Sequence, residues 1–176
     1  MNVFILNTGR CGSSTFIKAC EHITNYSAAH ESRSTLVGTQ KLLYPTQHIE
    51  ADNRLSWVLG RLEQQYGNQA IYIHLSRNKQ QTIESFSKRA GYGIMKAYKE
   101  GLLLGGEADQ SNKQIAEDYI DTVESNIEFF LKDKTNKMNF SLDNAKQDFE
   151  VFWKFISAEG NMQAALGEWD ISYNAS

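Results

Sequence analysis

The 176 residues include one proline, Pro45, and two cysteines, Cys11 and Cys20. Two cysteines cannot build a disulfide scaffold, so a reducing, cytoplasmic setting is the default expectation. Neither has a partner at zinc-ligand spacing, and no metal site is expected. Long apolar runs are missing as well. No stretch approaches the ~20 residues that a spanning helix needs, which argues against a membrane protein. The apolar start has no basic flank and is too short for a secretory signal. Nor is there a surplus of positive charge: 18 Lys+Arg face 21 Asp+Glu, a formal net charge of −3. That mildly acidic balance disfavours broad nucleic-acid binding. The length predicts a single domain over residues 1–176, and a 41% hydrophobic content can build its core.

What is present reads as alternating strands and helices. Val3, Phe4, Ile5 and Leu6 form a short apolar run ended by Asn7, Thr8 and Gly9, the pattern of a strand buried on both faces in a parallel sheet. Residues 14–23 follow at helical spacing. A weak second strand is expected within 27–33, and a helix over 54–66 with Gly67 as its C-cap. Ala70 to Leu75 is the best strand, rich in β-branched and aromatic residues. A helix is predicted from about 80 to 90. This alternation implies a parallel sheet with crossover helices. Residues 91–113 hold five glycines and read as a mobile excursion. Two amphipathic helices close the chain, with stripes Ile115, Tyr119, Val123, Ile127, Phe130 and Phe149, Phe152, Trp153, Ile156. Their aromatics belong to the core by periodicity.

The turn after the first strand, Thr8-Gly9-Arg10-Cys11-Gly12-Ser13-Ser14-Thr15, carries the first chemistry. Two glycines let consecutive N–H groups point at one anion. The helix after it adds its own N–H groups and the positive end of its dipole. Arg10 supplies fixed charge, and Ser13, Ser14 and Thr15 supply hydroxyls. No Gly-Lys-Ser/Thr closes the turn, so it is not a Walker A loop. A helix entry with a capping serine explains such a turn too, but it needs no arginine. Arg77 then comes after the best strand, with Ser85 eight residues on and Arg89 beyond it. A residue just past the C-terminal end of a parallel strand faces the ligand crevice. Arg77 therefore joins the glycine loop at one sheet edge, which suggests a ligand with two separate phosphates.

These residues resemble the sulfotransferases. Arg10-Cys11-Gly12-Ser13-Ser14 is similar to their 5′-phosphosulfate loop, and His74-Leu75-Ser76-Arg77-Asn78 through Ser85 to their 3′-phosphate motif. The resemblance spans about half the chain. It implies an α/β three-layer sandwich with a short parallel sheet, P-loop NTPase-like, and a helical C-terminal half. It implies 3′-phosphoadenosine 5′-phosphosulfate (PAPS) as sulfuryl donor, without a metal, and a hydroxyl or amine as acceptor. Gly9, Arg10, Cys11, Gly12, Ser13, Ser14 and Thr15 would hold the 5′-phosphosulfate, with Arg10 also neutralising the leaving phosphate. Arg77 and Ser85 would hold the 3′-phosphate.

For the base, the tyrosylprotein sulfotransferases carry a glutamate at similar spacing, which lands on Glu31 with Arg33 as its neighbour. Cytosolic sulfotransferases use a histidine, which keeps His30 in play. A polar pair bonded to backbone at a strand end is the plain alternative. His74 reads as a buried, hydrogen-bonded core histidine, His22 as a helix-end cation, and His48 as part of a solvated loop ending in an N-cap at Asp52 or Asn53. Cys11, in a cationic loop, could be reactive. Two features depart from the family: the chain is short, and after Lys154 no basic residue remains to meet the 3′-phosphate. A small-nucleotide phosphotransferase and a non-catalytic nucleotide-binding protein are the alternative functions. The acceptor is open among small alcohols, lipids, carbohydrates and peptides. Either terminal helix could form a homodimer or simply complete the core.

Overall fold

The computed structural model describes residues 1–171 and 173. Its sheet has five parallel strands: β1 (Asn2–Leu6), β2 (Ser27–His30), β3 (His48–Ala51), β4 (Ala70–Ser76) and β5 (Lys137–Ser141). Their spatial order is β2-β3-β1-β4-β5, with β1 central. Seven α-helices accompany them: α1 (Ser13–Cys20), α2 (Leu59–Tyr66), α3 (Lys79–Ser87), α4 (Gly93–Ala97), α5 (Asn112–Leu131), α6 (Ala145–Phe155) and α7 (Met162–Gly167).

Side chains of β1 alternate between two cores, which makes the fold three-layered. Val3 and Ile5 meet Phe16 of α1, Phe149 and Phe152 of α6 and Ala165 of α7. Phe4 and Leu6 face Leu62 of α2, Ile83 and Phe86 of α3, and Tyr119, Val123 and Ile127 of α5. The aromatic stripes of α5 and α6 are thus core, as their periodicity predicts. The α/β three-layer class holds, although the C-terminal half also contributes β5.

Three expectations are corrected. The polar run around His48 is not a solvated loop but β3, with His48 5% and Glu50 0% exposed. Asp52 does cap the turn after it, accepting from the Arg54 N–H at 2.8 Å. The helix expected over 54–66 is a 3₁₀ turn (Asn53–Trp57) and then α2, which ends at Gly67 as predicted. β5 has no counterpart among the expected strands, because its composition is polar. Within the glycine-rich 91–113 segment, α4 and a π-helical turn (Tyr98–Leu102) are anchored by buried Met95 and Tyr98, while residues 104–113 are exposed. Tyr98 donates to Asp118 Oδ2 at 2.5 Å. No described helix is long and apolar enough to cross a membrane.

The site arises from topology. From β1 the chain goes to β2 on one side of the sheet; from β4 it goes to β5 on the other. The loops after β1 and β4, adjacent parallel strands, therefore diverge and leave a crevice at their C-terminal ends.

Candidate functional site

The loop after β1 is built to be rigid. Asn7, fully buried, donates through Nδ2 to the Ile5 carbonyl at 3.0 Å and accepts the Gly9 N–H on Oδ1 at 2.8 Å. The Thr8 carbonyl accepts the Tyr119 hydroxyl at 2.7 Å, and the Asn7 carbonyl that of Ser56 at 3.2 Å. Gly9, Arg10 and Gly12 all take the left-handed conformation, with φ of 90°, 59° and 88°. A Cβ on Gly9 would sit 3.0 Å from Asn53 Nδ2, and one on Gly12 would sit 2.7 Å from Leu142 Cδ1. Left-handed residues in so short a loop turn backbone N–H groups toward one concavity, in the manner of an anion nest. Gly12 is also the N-cap of α1; no side chain caps that first turn and no carboxylate stands in it. The first-turn N–H groups and the dipole are thus directed at the same concavity.

Around it gather guanidinium groups. Arg10 Nε donates to Ser85 Oγ on α3 at 2.9 Å. Arg77, just past β4, donates from Nη1 to the Arg10 carbonyl at 3.3 Å and from Nε to Gln81 Oε1 at 3.0 Å. Burial, then the charges of Arg89 and Arg77, hold the Arg10 guanidinium below its ordinary pKa. Like charges drawn this close favour an anion between them.

All of this opens into one cleft of about 950 Å³. Of the residues expected to bind the donor, Gly9, Arg10, Gly12, Ser13, Ser14, Thr15, Arg77 and Ser85 line it. Cys11 does not. It is 1% exposed in the core beneath the loop, and burial, then Glu124, pushes its thiol up to about 12. Only its backbone can serve the loop, and the expectation of a reactive thiol is withdrawn.

His30 and Glu31 line the same cleft from the end of β2. They face different partners. His30 Nε2 lies 3.0 Å from Ser13 Oγ, on the loop itself. Glu31 has a left-handed backbone, φ 52°, and its Oε2 stands 2.9 Å from Arg54 Nη1. Arg33, the expected neighbour of Glu31, instead donates to the Gln40 carbonyl and covers the Tyr44 ring. Arg54 takes its place. The polar residues of β3 hide Arg54 in the sequence; the apolar alternation of Ile49 and Ala51 is the available signal, and it puts Arg54 just past a strand's C-terminal end.

The far wall brings further residues that the sequence does not single out, among them Lys88, Tyr92, Ile94, Trp169 and Asp170. The segment after α7 thus reaches the cleft with aromatic and acidic groups, not basic ones. Besides His48 in β3, two histidines stay away from it. His74 is buried 2.6 Å from Glu124 Oε2, without the alignment of a hydrogen bond. His22 pairs with Glu168 at 2.8 Å. Among the described residues no three His, Cys, Asp or Glu side chains group as a metal site.

No protein-family model matches the chain, and no curated protein matches it in sequence. Solved structures do match in fold. A sulfotransferase domain from the curacin biosynthetic pathway superposes with a TM-score of 0.63 at 16% identity, covering 93% of this chain and 75% of that one. Mouse sulfotransferase SULT7A1, complexed with PAP, superposes with a TM-score of 0.59 at 15% identity, covering 96% of this chain and 63% of that one. The chain therefore has the sulfotransferase fold and spans under two thirds of the length of the mouse enzyme.

Proposed function

We propose that this protein is a sulfotransferase that moves a sulfuryl group from PAPS to a hydroxyl or amine acceptor. One observation carries the reading: Arg10 and Arg77, from loops that diverge at the sheet edge, meet over an uncapped helix start, with Ser85 bonded to Arg10. The nest suits one phosphate-like group, and Arg77 with Ser85 suits a second. A donor phosphorylated at both the 3′ and 5′ positions has that layout, and the mouse neighbour was solved with PAP. Bound there, the donor would supply an activated sulfuryl group on a phosphate leaving group.

The chain's own part is positioning and charge stabilisation. N–H groups of residues 10–15 and the Arg10 guanidinium orient the 5′ end and balance negative charge that grows on the leaving phosphate. Ser13, held by His30, presents its hydroxyl to the same place. Arg77 grips the 3′ end. Glu31, held by Arg54, accepts the acceptor's proton as its oxygen or nitrogen attacks sulfur in line. A base of this type contributes ~10²–10⁴-fold. The assignment favours Glu31 over His30 because the hydrogen bond of His30 ties it to the donor loop.

A non-catalytic nucleotide-binding role is the second reading. The segment after α7 favours it, because it lines the cleft with Trp169, Asp170, Ile171 and Tyr173 and with no basic residue.

Calorimetry without magnesium tests the donor site: 3′-phosphoadenosine 5′-phosphate against adenosine 5′-phosphate and ATP. Preference for the 3′-phosphorylated ligand is expected. Equal affinity for all three, or tighter binding of ATP once magnesium is added, would overturn it. Release of 3′-phosphoadenosine 5′-phosphate from PAPS in the presence of an acceptor separates catalysis from binding alone.

A further inference from the structure

Glu50 lies in the middle of β3 and is wholly buried, yet no lysine or arginine pairs with it among the described residues. Its oxygens accept three hydrogen bonds instead. Oε1 takes the Ser32 N–H at 2.7 Å; Oε2 takes the Ser32 hydroxyl at 2.7 Å and meets His48 Nε2 at 2.9 Å. His48 is itself held through Nδ1 by Ser27 Oγ at 2.8 Å and stacked on Tyr44. Two positions on, same side of the strand, Asp52 accepts the Ser34 hydroxyl at 2.8 Å. Buried carboxylates are retained only where such bonds compensate their lost hydration.

Both carboxylates grip the turn that carries Glu31. Its N–H completes the sheet, donating to the Ala51 carbonyl at 3.0 Å, and its φ is 52°. A glutamate holds a left-handed backbone only where its surroundings over-determine it. Here the next residue, Ser32, is fixed through its amide and its hydroxyl together. Glu50 does not line the cleft; it reaches the site only through Ser32.

We infer that Glu50 is a positioning residue for Glu31: its carboxylate clamps both donors of Ser32 and so sets the backbone that aims Glu31 into the cleft. The inference rests on the proposed function for the role of Glu31, not for the clamp. A carboxylate offers an acceptor oxygen to each of the two donors of Ser32. A glutamine keeps an oxygen for only one of them, so the amide N–H of Ser32 loses its acceptor or its hydroxyl must turn to accept.

The test uses the full chain and the variants Glu50→Gln, Ser32→Ala and Ser32→Thr. Amide hydrogen exchange reads the clamp, calorimetry with 3′-phosphoadenosine 5′-phosphate reads the donor site, and sulfation of 4-nitrophenol by PAPS reads turnover. In Glu50→Gln and Ser32→Ala, exchange at Glu31 and Ser32 should quicken while β1 and β4 stay protected. In both, kcat should fall by roughly 10–10²-fold, the scale of a misplaced group, with donor KM and nucleotide affinity unchanged. The double variant should be no worse than Glu50→Gln. Ser32→Thr keeps both donors and should retain turnover. Unchanged exchange at Glu31 in Ser32→Ala would overturn the inference, even if Glu50→Gln failed to fold. So would slowed turnover with an equal loss of nucleotide affinity. If the wild type bound no nucleotide or sulfated no 4-nitrophenol, that result would count against the proposed function or this acceptor, and the exchange pattern alone would decide the clamp.

Discussion

Arg10 Nε and Ser85 Oγ are 2.9 Å apart although 75 residues separate them in the chain. The bond ties the loop after β1 to the last turn of α3, so the two halves of the candidate donor site are one structure. Replacing either partner should therefore weaken binding of 3′-phosphoadenosine 5′-phosphate, and replacing both should cost less than the sum. A coupling of ~0.5–3 kcal/mol is expected for residues in direct contact. Calorimetry on Arg10→Ala, Ser85→Ala and the double variant measures it; strict additivity would separate the two roles.

Arg77 is the group that should tell one phosphate from two. Arg77→Ala is expected to cost ~1.5–3 kcal/mol in affinity for 3′-phosphoadenosine 5′-phosphate, the worth of a charge-assisted hydrogen bond. Affinity for adenosine 5′-phosphate should change little. A loss shared equally by the two nucleotides would place Arg77 at the 5′ end.

His30 and Glu31 are adjacent in sequence and should behave differently. Glu31→Gln is expected to lower turnover by ~10²–10⁴-fold with nucleotide affinity kept. His30→Ala releases Ser13 Oγ and should weaken nucleotide binding first. Parallel titrations and initial rates on both variants decide it. The reverse pattern would make His30 the base.

A side chain at Gly12 meets two separable obstacles. The glycine's φ of 88° strains any other residue, and an added Cβ meets Leu142 Cδ1 at 2.7 Å. Gly12→Ala should lower stability by at least ~1–2 kcal/mol from the left-handed backbone alone. Adding Leu142→Ala removes the collision and leaves the backbone strain, so urea denaturation of the double variant should show no return of that part.

Both cysteines should be inert in the folded protein. Burial pushes the Cys11 thiol up to about 12, which leaves the reactive thiolate scarce at neutral pH. Burial raises Cys20 as well. A thiol reagent such as dithionitrobenzoate should label neither until denaturant is added. The rate should climb with pH, since only deprotonation makes the nucleophile. Prompt labelling of Cys11 in native protein would show that the loop opens.

Much of the fold is legible because some segments are apolar on every side. β1 and β4 are covered by helices above and below, so their runs are unbroken and read as parallel-sheet interior. β3 is as deeply placed, but His48 and Glu50 stand in it, and their polarity reads as solvent exposure. Ser27 and Ser32, residues on another strand and its turn, are what allow them to be buried. The same gap hides Arg54, and it leaves Arg33 assigned by adjacency to a role that Arg54 takes across space.

By itself the sequence determined the sheet's central strands, the helix stripes and the two loops with their glycines, arginines and hydroxyls, because each is a local pattern of hydrophobicity or backbone freedom. Only the tertiary structure decided which polar groups meet: Arg10 with Ser85, His30 with Ser13, Glu31 with Arg54, Glu50 with Ser32. A polar side chain's meaning depends on what stands within about 3 Å of it, the reach of a hydrogen bond, and that partner is chosen by the packing of elements far apart along the chain.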